Sequence, residues 1–141
     1  MRYYDSFKIF EVAEVFEQGE FHPSSEDETL PIHKLMLTGA VVGKDAKDIF
    51  FETKGVVESL PRYCHMNGYK FKQVEKPSWA DSDVYLNLVN ERKDVIGSLN
   101  LVSVATLAEA GVKRSNIAIF EIDVNKLARA EIGRASCRER V

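Results

Sequence analysis

Acid–base chemistry needs two carboxylates near one another, and the chain offers one such pair early, Glu11 and Glu14 in FKIFEVAEVFE (residues 7–17). Two charges at an open strand edge or in an ion pair account for the same residues. Metal binding has one candidate grouping, His22 and His33 flanking Glu26, Asp27 and Glu28. Ligands must be fixed by rigid elements, whereas QGEFHPSSEDETLPI (18–32) carries two prolines, two serines and four acids and reads as a solvated loop with a mobile tip. Cys64-His65 has no second Cys/His pair to complete a zinc site, and Cys64 reads as a core residue. Gly39 and Gly43 lack the Lys-Ser/Thr of a phosphate loop and instead suit a bulge or a close backbone approach in a strand. Lys70, Lys72 and Lys76, interleaved with Tyr69 and Phe71, fit either a small RNA-facing patch or a polar strand whose lysines discourage edge pairing. No nucleophile elbow, Walker loop, HExxH, dinucleotide fingerprint or CxxC occurs. The residues themselves therefore indicate no catalytic, cofactor-binding or metal site.

The elements that would position these residues are clearer. DIFFETKGVVESLPRYCHMNG (48–68) is the strongest helix, with Phe50, Thr53, Val57, Leu60 and Cys64 as its apolar stripe. Asp48 is placed to cap its start and Gly68 to end it, with Lys54 and Glu58 paired on the wetter side. Pro61 should kink or split this helix, and Gly55 is either a tolerated defect or a point of close backbone packing. Aromatic and β-branched residues make 7–17 a strand buried on both sides. HKLMLTGAVV (33–42) is a second strand and YKFKQVEK (69–76) a third, more polar one. Trp79, in the turn that follows, reads as a packing anchor. DVYLNLV (83–89) and VIGSLNLV (95–102) form an antiparallel hairpin around residues 90–94. Ser103 caps a short helix that Gly111 ends, IAIFEIDV (117–124) is a buried strand, and Asn125 starts a last helix. Strands paired by hairpins with helices between them predict an α+β domain around a mainly antiparallel sheet.

The gross composition of the 141 residues sets wider bounds. A hydrophobic fraction of 45% with 29% charged residues suits one globular domain, and no run reaches membrane-span length. The first residues are no secretory signal, and two cysteines indicate a reducing compartment. A net charge of −3 with scattered basic residues argues against a chain whose main task is holding nucleic acid. The tail EIGRASCRERV (131–141) looks like the translation of a short-read sequencing adapter, so its Arg134, Arg138 and Arg140 are excluded from functional reasoning. Residues 1–130 are then expected to be part of a longer protein, with Met1 either its start or an internal methionine.

Read together, the segments resemble the class II synthetase-like core of the bacterial phenylalanyl-tRNA synthetase beta subunit family. FKIFEVAEVF (7–16) is similar to that family's FxIFEIGRVF, LTGAVVG (37–43) to its LAGLLxG strand, and FFETKGVVESL (50–60) to its FFDLKGxVExLL. Ile96-Gly97 in the hairpin and FEID (120–123) follow in family order. Gly55 then stands at a family position. The chain departs from the pattern at Ala13-Glu14, where the family has Gly-Arg, at Val102-Ser103, where it has His-Pro, and at Pro61.

The resemblance implies a scaffold without chemistry of its own. Catalytic members use one arginine on the early strand and another after a glycine-rich strand to hold ATP phosphates. Here the early strand has Glu14, and IAIFEIDVNK (117–126) has neither glycine nor arginine. The expected setting is a cytoplasmic heterotetramer with no membrane contact. Its alpha subunit would activate phenylalanine with ATP and magnesium and attach it to tRNA. The beta subunit would supply scaffold, editing and tRNA contacts, its editing domain, acidic magnesium ligands and anticodon-binding domain lying outside this chain. The alternative from the residues alone is a stand-alone α+β binding or RNA-binding module without catalytic activity.

Overall fold

The computed structural model describes residues 5–21 and 31–131. The elements run β1 (Phe7–Phe21), β2 (Pro31–Gly43), α1 (Ala46–Tyr63), β3 (Lys70–Gln73), β4 (Ala80–Val89), β5 (Val95–Val102), α2 (Val104–Glu109), β6 (Asn116–Asp123) and α3 (Val124–Glu131). The strands form one six-stranded sheet ordered β1-β2-β6-β5-β4-β3, and each neighbouring pair is antiparallel. The α+β architecture and the β4–β5 hairpin are as the patterning predicts.

Helix α1 lies on one face of the sheet through Ile49, Thr53 and Val57, all buried. Val57 packs with Leu88, Leu99, Phe120, Ile122 and Leu127, while Ile49 meets Val41, Leu101 and Ala118. The stripe is rotated from the expected one, because Ile49 takes the fully buried place and Phe50 sits half-buried beside it. The polar Thr53 is tolerated inside because its hydroxyl donates to the Ile49 carbonyl at 2.6 Å. Lys54 and Glu58 form the expected pair, 3.5 Å apart, and Lys54 also lies 5.3 Å over the Phe71 ring.

Both ends of α1 differ from expectation. The N-cap is Asp45, whose carboxylate accepts from the Asp48 N–H at 3.0 Å, so Asp48 is a first-turn residue that uses the cap instead of providing it. At the other end His65, at φ 54°, is the left-handed residue. Cys64 N–H to Leu60 O is the last helical bond, and Met66 N–H to Pro61 O closes over His65 as the six-to-one bond of a Schellman motif. Gly68 lies beyond this stop. Cys64 is therefore the exposed cap residue, not part of the core. Gly55 is exposed and a methyl group there would meet nothing within 4 Å, which excludes close backbone packing among the described residues.

Pro61 does not split the helix, which runs on to Tyr63. A proline has no N–H to give the carbonyl four residues back, here that of Val57. The Tyr69 hydroxyl, from just before β3, donates to that Val57 carbonyl instead. Burial, then Cys64 and Glu58, push the Tyr69 phenol well above its ordinary value, so it stays a neutral donor.

Strand β1 departs furthest from the sequence reading. It is a strand, but it is exposed on both faces, with Ile9 and Phe16 60% and Phe10 79% accessible. It lies at the edge of the sheet, beyond the strands that α1 covers. The ladder also continues past residue 17, since Phe21 pairs with Pro31 after an irregularity that includes Gly19 at φ 82°. Gln18–Phe21 and Pro31–Ile32 are thus strand and not loop, while His22, Glu26, Asp27 and Glu28 lie outside the described residues. Smaller differences follow the same local logic. β3 is only Lys70–Gln73, β4 begins at Ala80, and β6 ends at Asp123, whose carboxylate caps α3 by accepting from the Lys126 N–H at 3.1 Å. Val124 and Asn125 are consequently already helical. Trp79 is 40% exposed, its ring edge-on to Tyr85. Ser103 caps α2 and Gly111 follows it at φ 77°, both as expected.

Two stability experiments follow. Tyr69→Phe should cost about 1–3 kcal/mol in urea unfolding, the cost of an unsatisfied buried carbonyl, but under about 0.5 kcal/mol in a Pro61→Ala background, where the new N–H can serve Val57. Equal costs in both backgrounds would disprove the compensation. The folded-state pKa of Tyr69 lies above the unfolded value, so its contribution is fully present below about pH 10 and is lost as pH rises from there. Tyr69→Phe should flatten that alkaline loss. Separately, a methyl group on Gly97 would stand 2.1 Å from the Glu121 carbonyl oxygen of β6. Gly97→Ala should therefore destabilise by about 1–3 kcal/mol or more, and Gly55→Ala should stabilise by roughly 0.5–1 kcal/mol, both read by thermal denaturation.

Candidate functional site

Because side chains alternate along a strand, the register assigns each residue to a face. One face is that of α1, fixed by the core residues Val41, Leu99, Leu101, Phe120 and Ile122 and by the Lys8–Glu52 ion pair at the edge. The opposite face has a mixed surface. Across it runs a row from β3 to β1 of Lys72, Asn87, Ser98, Glu121, Thr38 and Glu11. The neighbouring row is Tyr85, Asn100, Ile119, Ala40 and Ile9. Thr38, Ala40, Asn87, Ser98 and Ile119 are half-buried and Glu121 is exposed, so the middle of this face is open to solvent.

A shallow hollow of about 460 Å³ lies at its β1 end, lined by Ile9, Phe10, Glu11, Thr38, Gly39, Ala40 and Ile119. Gly39 is required for packing on the other side, where a methyl group would stand 2.3 Å from the Phe120 ring. Gly43 similarly leaves room for Ile49, and Gly97 for the β6 backbone. Gly39 and Gly43 therefore make room for side chains and Gly97 for backbone, and none of the three forms a phosphate cradle.

The charge of the hollow is negative. Its only ionisable lining residue is the carboxylate of Glu11, with Glu121 next to Thr38 in the same row. The arginines whose side chains are described stand elsewhere: Arg62 in the last turn of α1, Arg92 in the β4–β5 turn and Arg114 before β6. A triphosphate placed in this hollow would meet the Glu11 carboxylate and no guanidinium among the described residues. The strand register also revises one point of the sequence reading. Glu14 lies on the α1 side of β1, and the β1 carboxylate that reaches the open face is Glu11.

That same parity separates Glu11 from Glu14 and removes them as an acid–base couple. His33 is exposed on β2 with its ring edge-on to Phe16 at 6.2 Å. Among the described residues no group of three or more His, Cys, Asp or Glu side chains could hold a metal ion. Tyr69 and Phe71 pack against the α1 core and are not stacking platforms, whereas Lys70 and Lys72 alternate to the other side. Lys76 turns away to the Ala80 carbonyl at 3.3 Å. Sequence reasoning missed the Tyr69–Val57 bond, although a proline four residues after a core position was a signal that the carbonyl needed another donor. It also missed Asn100, buried on the open-face side of β5 with its Oδ1 unpartnered among the described residues. A strand Asn gives no such signal.

Among the described residues, no helix is long and apolar enough to cross a membrane. In comparisons with known proteins, no curated protein matches the chain. A solved structure, that of the pyrrolysyl tRNA synthetase PylSc of Desulfitobacterium hafniense, shares the fold with a TM-score of 0.62 at 10% sequence identity. The match covers 86% of this chain but 40% of that one, so the chain spans less than half of that synthetase. The family model of the phenylalanyl tRNA synthetase beta chain CLM domain matches residues 1–124, in agreement with the resemblance carried by FKIFEVAEVF and FFETKGVVESL. The chain belongs to the phenylalanyl tRNA synthetase beta chain CLM domain family.

Proposed function

We propose that this chain is a catalytically inert scaffold within the beta subunit of a cytoplasmic phenylalanine–tRNA ligase. It supports an alpha subunit that carries out the ATP- and magnesium-dependent attachment of phenylalanine to tRNA, in a heterotetramer. The observation that carries this reading is the charge of the open sheet face. Glu11 and Glu121 stand on that face with no arginine beside them among the described residues, and Lys72 at the β3 end is the one cation of their row. Catalysis of adenylate formation depends on positive charge placed in advance around the phosphates, and no rearrangement of Thr38, Ser98 or Asn87 provides it.

A second feature supports the scaffold role. Phe10, Val12 and Phe16 of β1 are exposed on the α1 side, with Ile9 and Val15 on the other. An edge strand apolar on both faces is suited to burial against another protein surface.

The chain should bind a bacterial phenylalanyl-tRNA synthetase alpha subunit in sedimentation velocity or surface plasmon resonance. Phe10→Asp should change the melting temperature by less than about 2 °C, since the side chain is exposed, yet weaken that association tenfold or more. A folded chain that ignores the alpha subunit at tens of micromolar would overturn the scaffold reading.

A further inference from the structure

The two edges of the sheet are built in opposite ways. The β3 edge is four residues long and carries the exposed Lys70 and Lys72, a length and a charge that keep another strand away. Strand β1 is fifteen residues long, and among the described residues no strand of this chain pairs with its outer side. Of the twelve large apolar side chains exposed among the described residues, six stand on this one strand: Phe7, Ile9, Phe10, Val12, Val15 and Phe16. Its lysine does not blunt the edge, because Lys8 pairs with Glu52 of α1. Glu17 is likewise held by Lys34 of β2. Helix α1 stands over β2, β6 and β5 and leaves the outer side of β1 clear.

We propose that two copies of this chain associate through β1, which pairs antiparallel with β1 of the second copy to make one continuous sheet. The area suffices. At about 150–250 Å² for a whole aromatic side chain, Phe7, Phe10 and Phe16 leave roughly 300–450 Å² in water on each copy. With Ile9, Val12 and Val15 the patch reaches about 600 Å², so two copies bring together about 1,200 Å², where the range of specific interfaces begins. The backbone N–H and C=O groups of the outer edge add hydrogen bonds that side-chain docking alone would lack.

The strand is also complementary to itself in one register. A two-fold axis through the pair brings residues of the same face opposite one another. Registers centred on Glu11 or Glu14 set identical carboxylates face to face, which is unfavourable. A register centred on Ala13 matches Phe7 to Ile9 with Glu17 to Gly19, where the β1 ladder is irregular. The register centred on Val12 keeps Lys8 to Phe16 inside the regular ladder. It sets Val12 against its own copy and Ile9 against Val15 twice, and it opposes no two like charges. The inference does not rest on the scaffold reading above, because it concerns the chain by itself. A copy engaged in this way has no free β1 for an alpha subunit.

The test is sedimentation velocity of the 141-residue chain alone, from low to high micromolar concentration. A reversible monomer–dimer equilibrium is expected. Val12→Lys and Val12→Glu, each opposing like charges at the axis, should both weaken the dimer about tenfold or more. An equimolar mixture of the two variants should recover the dimer, a gain that misfolding cannot imitate. Phe51→Lys, on the exposed side of α1, should leave the equilibrium within about twofold of the parent. A chain that stays monomeric throughout, open-ended assembly in place of a dimer, equal loss in Phe51→Lys, or no recovery in the mixture would each overturn the proposal.

Discussion

The fold depends on the burial of α1 across β2, β6 and β5. Val57 and Ile49 are the contacts through which that helix, together with Leu127 of α3, closes the apolar side of the sheet. Each such side chain contributes about 1.5–3 kcal/mol when fully removed from water, so the seam is the main source of cohesion. Close approach makes it possible: Gly39 leaves space for the Phe120 ring, and Gly43 leaves space for Ile49. The Pro61 interruption would leave a carbonyl of this seam without a donor, and the Tyr69 hydroxyl meets it from outside the helix. One tyrosine thereby joins the end of α1 to the start of the β3 edge.

Fixing the apolar side also fixes what the other side displays. Strand parity leaves Glu11, Thr38, Glu121, Ser98, Asn87 and Lys72 on the open face as a consequence of the core residues alternating with them. The fold and the electrostatic character of the open face are therefore linked but separable. A sheet of this shape is shared with a pyrrolysyl tRNA synthetase at 10% identity, which shows how little of the side-chain chemistry the shape demands.

Much of the architecture was legible because local chemistry and burial agreed. The β4–β5 hairpin has a short polar turn, Ser103 is a strong cap, and Ala118, Phe120 and Ile122 alternate in a buried strand. What failed depended on neighbours. Strand β1 reads as doubly buried from its residue types, yet burial requires something to cover it, and the edge position is a property of the whole sheet. Cys64 fits the helical stripe, but the chain leaves the helix there through His65. The caps shifted by three residues at each end because Asp45 and Asp48, or His65 and Gly68, satisfy the same local pattern. For the candidate site, the absence of a guanidinium was visible in the sequence, whereas the face on which Glu11 and Glu14 lie emerged only from the strand register.

The central claim is that the open face of this sheet, among the described residues, carries no guanidinium for adenylate chemistry. Phenylalanine-dependent exchange of pyrophosphate into ATP, measured with the folded chain free of any alpha subunit, tests it most directly. The account predicts no exchange above the protein-free background at millimolar ATP, magnesium and phenylalanine. Saturable exchange by the chain alone, abolished by substitution on the open face, would contradict it.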